Sequence, residues 1–239
     1  MVNKNTLQSL ISKYYLNGSF NQVKWRIKDN TITVYAGSSG KAAKVYLKNF
    51  QFEDCELGIY DTHKLSRLLA ICNGELIFQA EKTNKVFTKL NIADSNFDLS
   101  YSLADIFVIP RADYFPDIEE PEGLFELDKE AIDALIKAKT ALSEQSGLLI
   151  KTSTNLDGER VCEMIFGDIE NFANKVTYTL NGTITDEIEF PLNSDSLKDI
   201  FSANKDADRG VLKVSAQGMI QLNFYSDEME SEYFVLRNE

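Results

Sequence analysis

The chain has one histidine, one tryptophan, three cysteines and four prolines in 239 residues. No apolar run approaches the roughly 18 residues that a membrane helix needs. Each scarcity excludes something. The single histidine, His63, opens a helical segment with no plausible Cys or Asp partner in sequence, so a general base or a metal ligand there is the poorer reading. Cys55, Cys72 and Cys162 are scattered and lack C-x-x-C spacing, which reads as small buried hydrophobes in a reducing compartment. The opening "MVNKNTLQSL" has no signal-peptide core, so a cytoplasmic location is expected, in the host cytoplasm if the chain is viral. "GSSGK" (Gly37–Lys41) lacks the glycine spacing of a phosphate loop and has Ala42 where a magnesium-binding hydroxyl belongs. The acidic runs "DIEEPE" and "SDEMESE" do not have calcium-loop spacing. Nothing assembles a nucleophile, a base and an oxyanion site. The expectation is a non-catalytic protein without metal or cofactor.

Positive charge is also scarce. The formal net charge is −12, at first sight a poor match to nucleic acid. What the chain does have is 44% hydrophobic and 11% aromatic residues, enough to fill a real core.

Four segments carry apolar residues at helical spacing. In Lys4–Tyr15 the stripe is Leu7, Leu10, Ile11 and Tyr14. In Thr62–Cys72 it is Leu65, Leu68, Leu69 and Cys72, with Asp61 or Thr62 as cap. In Lys129–Leu142 it is Ile132, Leu135, Ile136 and Leu142, capped by Asp128. In Ser194–Lys205 it is Leu197, Ile200 and Phe201, opened by Asn193 or Ser194. Nearly everything else alternates like β-strand, with hairpin turns at Asp29-Asn30, Asp157-Gly158 and Gln217-Gly218. Asn17-Gly18 and Asn181-Gly182 read as tight turns of the same kind.

The order strand, turn, short helix, turn, strand occurs twice, in Gly58–Phe78 and in Ile188–Ser215. Leu7 against Ile132 gives an offset of 125, Leu65 against Leu197 gives 132, and Ile77 against Leu212 gives 135. A slowly growing offset is what a duplicated unit with small insertions produces. Between the halves, Phe107–Gly123 is acidic and holds Pro110, Pro116 and Pro121. The expected fold class is therefore α+β. It has two similar domains, 1–107 and 124–239, joined by a connector at 108–123, each with antiparallel sheets and two short helices on one face.

The charge is segregated. The four helical segments hold nine bases and four acids, a net +5, which leaves −17 on the rest. At about 100° per residue, His63 and Arg67 point away from the Leu65/Leu69 stripe, with Lys64 on the flank. Lys13 flanks the polar face of Asn5, Ser9 and Ser12, Lys137 lies away from its stripe, and Lys139 lies nearer its stripe and must snorkel. The last segment is diluted, since Asp195 and Asp199 balance Lys198 and Lys205. Net-positive helices in so acidic a chain suggest a surface that faces a polyanion.

The doubled unit, "GIYDTHKLSRLLAI", the acidic Pro-containing connector and the terminal "SEYFVLRNE" together resemble a DNA sliding clamp. The nearer likeness is to the trimeric clamps of tailed phages, the more distant one to PCNA. The resemblance implies a homotrimer closed head to tail into a ring. Helices line the hole and sheets form the outside. The ring encircles double-stranded DNA without reading its sequence and tethers DNA polymerase for processive replication. A clamp-loader ATPase would open it. Carried onto this chain, the DNA-facing residues would be Lys13, Lys64, Arg67, Lys137 and Lys198, and also Lys4, Lys139 and Lys205. A partner's terminal or linear peptide would dock near the connector, with Phe115, Ile118, Tyr233, Val235 and Leu236 as candidates; each could equally serve to pin the connector down. The joint between subunits would pair a strand in "NFDLSYSL" with one in "NKVTYTL". Two other classes compete: a two-domain β-rich structural or adaptor protein that does not encircle DNA, and an enzyme with an unrecognised site at the domain junction.

Overall fold

The computed structural model describes residues 2–38, 40–112, 115–155, 157–167 and 174–237. Ser39 of the Gly37–Lys41 tip, Asp113 and Tyr114 of the connector, Leu156 beside the Asp157-Gly158 turn, and the last two residues of "SEYFVLRNE" lie outside these. The elements of the first half are β1 (Val2–Asn3), α1 (Lys4–Tyr15), β2 (Val23–Lys28), β3 (Thr31–Ser38), β4 (Lys41–Leu47), β5 (Cys55–Ile59), α2 (Thr62–Ala70), β6 (Glu75–Thr83), β7 (Val86–Ala93) and β8 (Asp98–Ser102). Those of the second half are β9 (Gly123–Leu127), α3 (Lys129–Ala141), β10 (Gly147–Thr154), β11 (Arg160–Gly167), β12 (Lys175–Leu180), β13 (Gly182–Ile184), β14 (Glu189–Asn193), α4 (Ser194–Ala203), β15 (Arg209–Ser215), β16 (Met219–Tyr225) and β17 (Met229–Leu236).

The chain divides into two compact units. One contains Met1–Gly37, Ala43–Phe115 and Asp227–Ser231; the other contains Ser38–Ala42, Pro116–Ser226 and Glu232–Glu239. The first unit is built on strands in the orders β4-β3-β2-β5 and β1-β6-β7-β8. The second uses β12-β11-β10-β14 and β13-β9-β15-β16-β17. With the short β13 set aside, the two units have one and the same topology, strand for strand. The hairpin pairs β2/β3, β6/β7, β10/β11 and β15/β16 are antiparallel, as expected for strands joined by short turns.

The first-unit core forms because α1 and α2 turn apolar stripes onto the strands. Leu7, Leu10, Ile11 and Tyr14 of α1 are buried, as are Leu65 and Leu69 of α2 and the strand residues Trp25, Ile32 and Val34. Each such aliphatic side chain contributes about 2 kcal/mol on leaving water. The Trp25 indole Nε1–H donates to the Tyr14 hydroxyl at 3.3 Å, so that burying the indole leaves no orphan donor. In the second unit Ile132, Leu135, Leu197, Ile200 and Phe201 do the same work. Phe224 stacks edge-on to both Phe201 and Tyr233, with ring centroids 6.0 Å apart in each case.

Several expectations need correction. The strands β1 and β9 are not legible as alternating runs. β9 is five residues of "GLFEL" wedged between the acidic connector and the Asp128 cap. α2, α3 and α4 end one or two residues before the expected segments do, so Cys72 is buried from outside the helix and Lys205 lies beyond α4. Leu68, Ile136 and Leu142 are only partly covered. Ile77 is exposed whereas Leu212 is buried, so the third offset pairs opposite sheet faces, and Leu76 is the inward residue. Asp29 and Asn30 both have positive φ, the geometry of a type I′ hairpin turn. Asn17-Gly18 instead closes α1 in a 3-10 turn. Asn181-Gly182 is a corner where the chain passes from β12 to β13; a Cβ on Gly182 would lie 2.1 Å from the Leu124 carbonyl oxygen.

Candidate nucleic-acid interface and partner pocket

The Asp61 side chain starts α2 by accepting from the Lys64 amide at 3.0 Å, and Asn21 Oδ1 accepts from the His63 amide at 3.0 Å. With that register fixed, Leu65 and Leu69 face the core while His63, Lys64 and Arg67 are exposed. Arg67 sits in the last turn, where the helix dipole favours a cation. The Tyr15 hydroxyl lies 3.4 Å from His63 Nδ1. Lys4 is half-buried, and its ammonium donates to the Ala70 carbonyl at 2.9 Å, satisfying an orphan acceptor at the end of α2. The exposed residues of α1 are the neutral Asn5 and Ser12.

Two cations expected on the exposed face are buried. Lys13 is 2% exposed. It flanks the apolar arc of α1, three residues after Leu10, and the fold carries that edge of the helix inward with its neighbours. Lys139, also 2% exposed, does not snorkel to water. Its ammonium donates to the carbonyls of Leu142 (3.3 Å), Ser143 (3.3 Å) and Gln145 (2.7 Å), and lies 2.9 Å from an Asp195 carboxylate oxygen. The turn after α3 points three carbonyls at one spot, and these offset the desolvation of a buried charge.

On the second unit's helices Lys129 and Lys137 are exposed, and so are Glu130, Asp133 and Asp195. Lys198 and Asp199 are partly exposed. Burial pushes the Asp199 carboxyl above its ordinary value; Asp195 adds to the rise, while Lys41 and Lys198 oppose it. Lys205 is exposed after α4, whose end is closed by Asn204; its amide nitrogen donates to the Ile200 carbonyl (2.8 Å) and bonds the Tyr233 hydroxyl (2.9 Å).

The five partner-site candidates separate. Tyr233 is buried in the core against Asn204, and its place is structural. Ile118 is buried, and its amide donates to Gln221 Oε1 at 2.9 Å. The Phe115 ring lies 6.0 Å from the Lys44 ammonium. Only Val235 and Leu236 line a common cavity, of about 500 Å³, together with Gly40, Lys41, Asn193, Ser196, Met219 and Arg237 among others. Backbone bonds build this cavity. The Leu236 amide donates to Gly40 O at 2.9 Å and the Arg237 amide to Gly218 O at 2.7 Å, tying the last strand to two hairpin tips. Gly218, with φ of +85°, makes that turn. Sequence reading missed Gly40, Lys41, Asn193 and Met219; the one available signal was the Gln217-Gly218 turn.

Among the described residues no group of three or more His, Cys, Asp and Glu is placed to hold a metal ion. The thiols are protonated and quiet: burial pushes Cys55 up to about 11 and Cys162 up to about 12. Among the described residues no helix is long and apolar enough to cross a membrane.

No protein-family model and no curated protein sequence matches the chain. Solved structures do. The chain is similar to Proliferating Cellular Nuclear Antigen from Entamoeba histolytica, with a TM-score of 0.76 at 12% identity over 99% of this chain and 96% of that one. It is equally similar to A. fulgidus PCNA in a structure with the C-terminal region of FEN-1 bound, with a TM-score of 0.76 at 12% identity over 100% and 97% of the two chains. The fold is that of PCNA from end to end.

Proposed function

We propose that the chain is a non-catalytic sliding clamp: three copies close head to tail around double-stranded DNA and tether a DNA polymerase for processive synthesis. The observation that carries this reading is the PCNA fold over the whole chain together with a helix, α2, whose exposed charges are all basic in a protein of net −12. An acidic exterior suits such a ring. Retention comes from closure, so tight phosphate binding is unnecessary, and beyond roughly 8 Å at physiological salt the outer acids are screened from the hole.

Closure has a structural opening. β8 ends the order β1-β6-β7-β8 and β12 ends β12-β11-β10-β14, so each presents an edge that a second copy can extend. Pairing β8 of one copy with β12 of the next is heterologous, and such a contact gives a ring where its rotation closes. We further propose a clamp-loader ATPase as the opener, domains divided at the 108–123 connector, and kinship with the trimeric clamps of tailed phages on the strand-turn-helix around α2 and the terminal strand. The cavity beside Val235 and Leu236 is the proposed seat of a partner's terminal peptide, a reading supported by the C-terminal region of FEN-1 bound to A. fulgidus PCNA.

Light scattering tests the assembly. The reading expects about three times the subunit mass of 27.0 kDa, and a stable monomer at working concentration would remove it. With cognate polymerase, loader and ATP, product length on a long primed template rises.

A further inference from the structure

The two units do not contribute alike to the helical surface. On α1 and α2 the charged residues that reach solvent are Lys4, Lys64 and Arg67, and neither helix contains an Asp or Glu. On α3 and α4 they are Lys129, Lys137 and Lys198 against Glu130, Asp133, Asp195 and Asp199. The first surface is +3 and the second −1. The expected helix total of +5 concealed this, because Lys13 and Lys139 are buried and Lys205 lies outside its helix.

We propose that the chain grips the phosphate backbone through α2 alone, with His63, Lys64 and Arg67 as the binding set, and that α3 and α4 form a near-neutral wall. The inference rests on the clamp reading and deepens it. Lys4 is excluded because its ammonium is spent on the Ala70 carbonyl. Lys64 and Arg67 are three residues apart on one side of a helix, a spacing at which side chains meet a common ligand. His63 and Arg67 are four apart and share that side. The Tyr15 hydroxyl at His63 Nδ1 steadies the ring and presents Nε2 to a phosphate oxygen. On α3, by contrast, Asp133 stands four residues before Lys137, so a phosphate approaching that lysine meets a carboxylate too. A ring of three copies would then hold duplex at three places alternating with stretches that repel it weakly. That arrangement centres the DNA while keeping friction low.

Salt dependence reads how many phosphates the protein neutralises. Binding of the full-length protein to a labelled linear duplex, whose ends admit a closed ring, is followed by anisotropy across a salt series. Lys64→Ala and Arg67→Ala each flatten the slope of log affinity against log salt, by about 0.9 for each phosphate left unneutralised. Lys137→Ala and Lys198→Ala leave it unchanged. Glu130→Gln with Asp133→Asn steepens it, by turning the wall positive. His63→Ala weakens binding several-fold, and His63→Gln restores part of the loss. A slope that falls as much with Lys137→Ala as with Arg67→Ala overturns this inference and leaves the clamp reading standing. Absence of any wild-type binding to the linear duplex overturns this inference, whereas the clamp reading falls only if the loaded protein also fails to stay on circular DNA.

Discussion

The Lys139 ammonium and the Asp195 carboxylate lie 2.9 Å apart, joining the end of α3 to the start of α4. The pair is lopsided: Lys139 is buried, whereas the Asp195 side chain is 58% exposed. The lysine's remaining bonds go to three carbonyls of the turn after α3. Removing the lysine strands those acceptors, while removing the carboxylate strands little. Lys139→Met is expected to cost about 3 kcal/mol in urea unfolding, and Asp195→Asn under about 1 kcal/mol. Equal costs would mean that the ion pair, and not the turn, is what the lysine serves.

Gly182→Ala is expected to destabilise by about 1–3 kcal/mol, because the added methyl group must displace the Leu124 backbone carbonyl. Gly158→Ala is strained only by its φ of +82°, with nothing within 4 Å of its Cβ, and is expected to cost less. Thermal unfolding of the two variants ranks them.

Asp94 accepts the amides of Asn73 (2.6 Å), Asn96 (2.7 Å) and Phe97 (2.7 Å). The bonds from Asn96, Asn73 and Phe97 hold its carboxyl below the ordinary carboxylate range. Its contribution to stability is therefore present above the unfolded-state value and is lost as pH falls through the folded-state value. Asp199 has the opposite sign. Burial raises its value, so at neutral pH the ionised form is a penalty that protonation relieves. Asp94→Asn should flatten the acid limb of a stability–pH profile, and Asp199→Asn should raise stability near neutrality; the reverse pattern would contradict both assignments.

On the proposed function, Leu236→Asp is expected to leave a trimer intact and to abolish the gain in polymerase product length, since Leu236 is 40% exposed at the rim of the cavity and a carboxylate there would oppose an apolar anchor. Phe115→Ser leaves that gain largely in place. Light scattering and primer extension on the same preparations separate loss of docking from loss of the ring.

Local features were readable from the residues alone. α1 runs from Lys4 to Tyr15 as its stripe of Leu7, Leu10, Ile11 and Tyr14 required, and Asp61 and Asp128 cap the helices they precede. The exposure of His63 and Arg67 was legible because they stand opposite two leucines, with Lys64 exposed on the flank. The burial of Lys13 and Lys139 was not. Spacing places Lys13 at the edge of an apolar arc and Lys139 within one, and only the tertiary surroundings, such as the three carbonyls around Lys139, decide where each ammonium goes. The cavity was least legible of all. It gathers residues 40–41, 193 and 196, 217–219 and 235–237, four stretches that meet only after folding. The strand β9 was hidden because five residues between an acidic connector and a helix cap show too few alternations to count.

The central claim is encirclement, and topology tests it most directly. The protein is loaded with its cognate loader and ATP onto a nicked circular plasmid, passed through gel filtration at high salt, and challenged with a single restriction cut. A ring stays on the circle through the salt step and runs off once the DNA has ends. Loss from the uncut circle in salt, or equal retention on cut and uncut DNA, would mean that surface attraction and not closure holds the protein there.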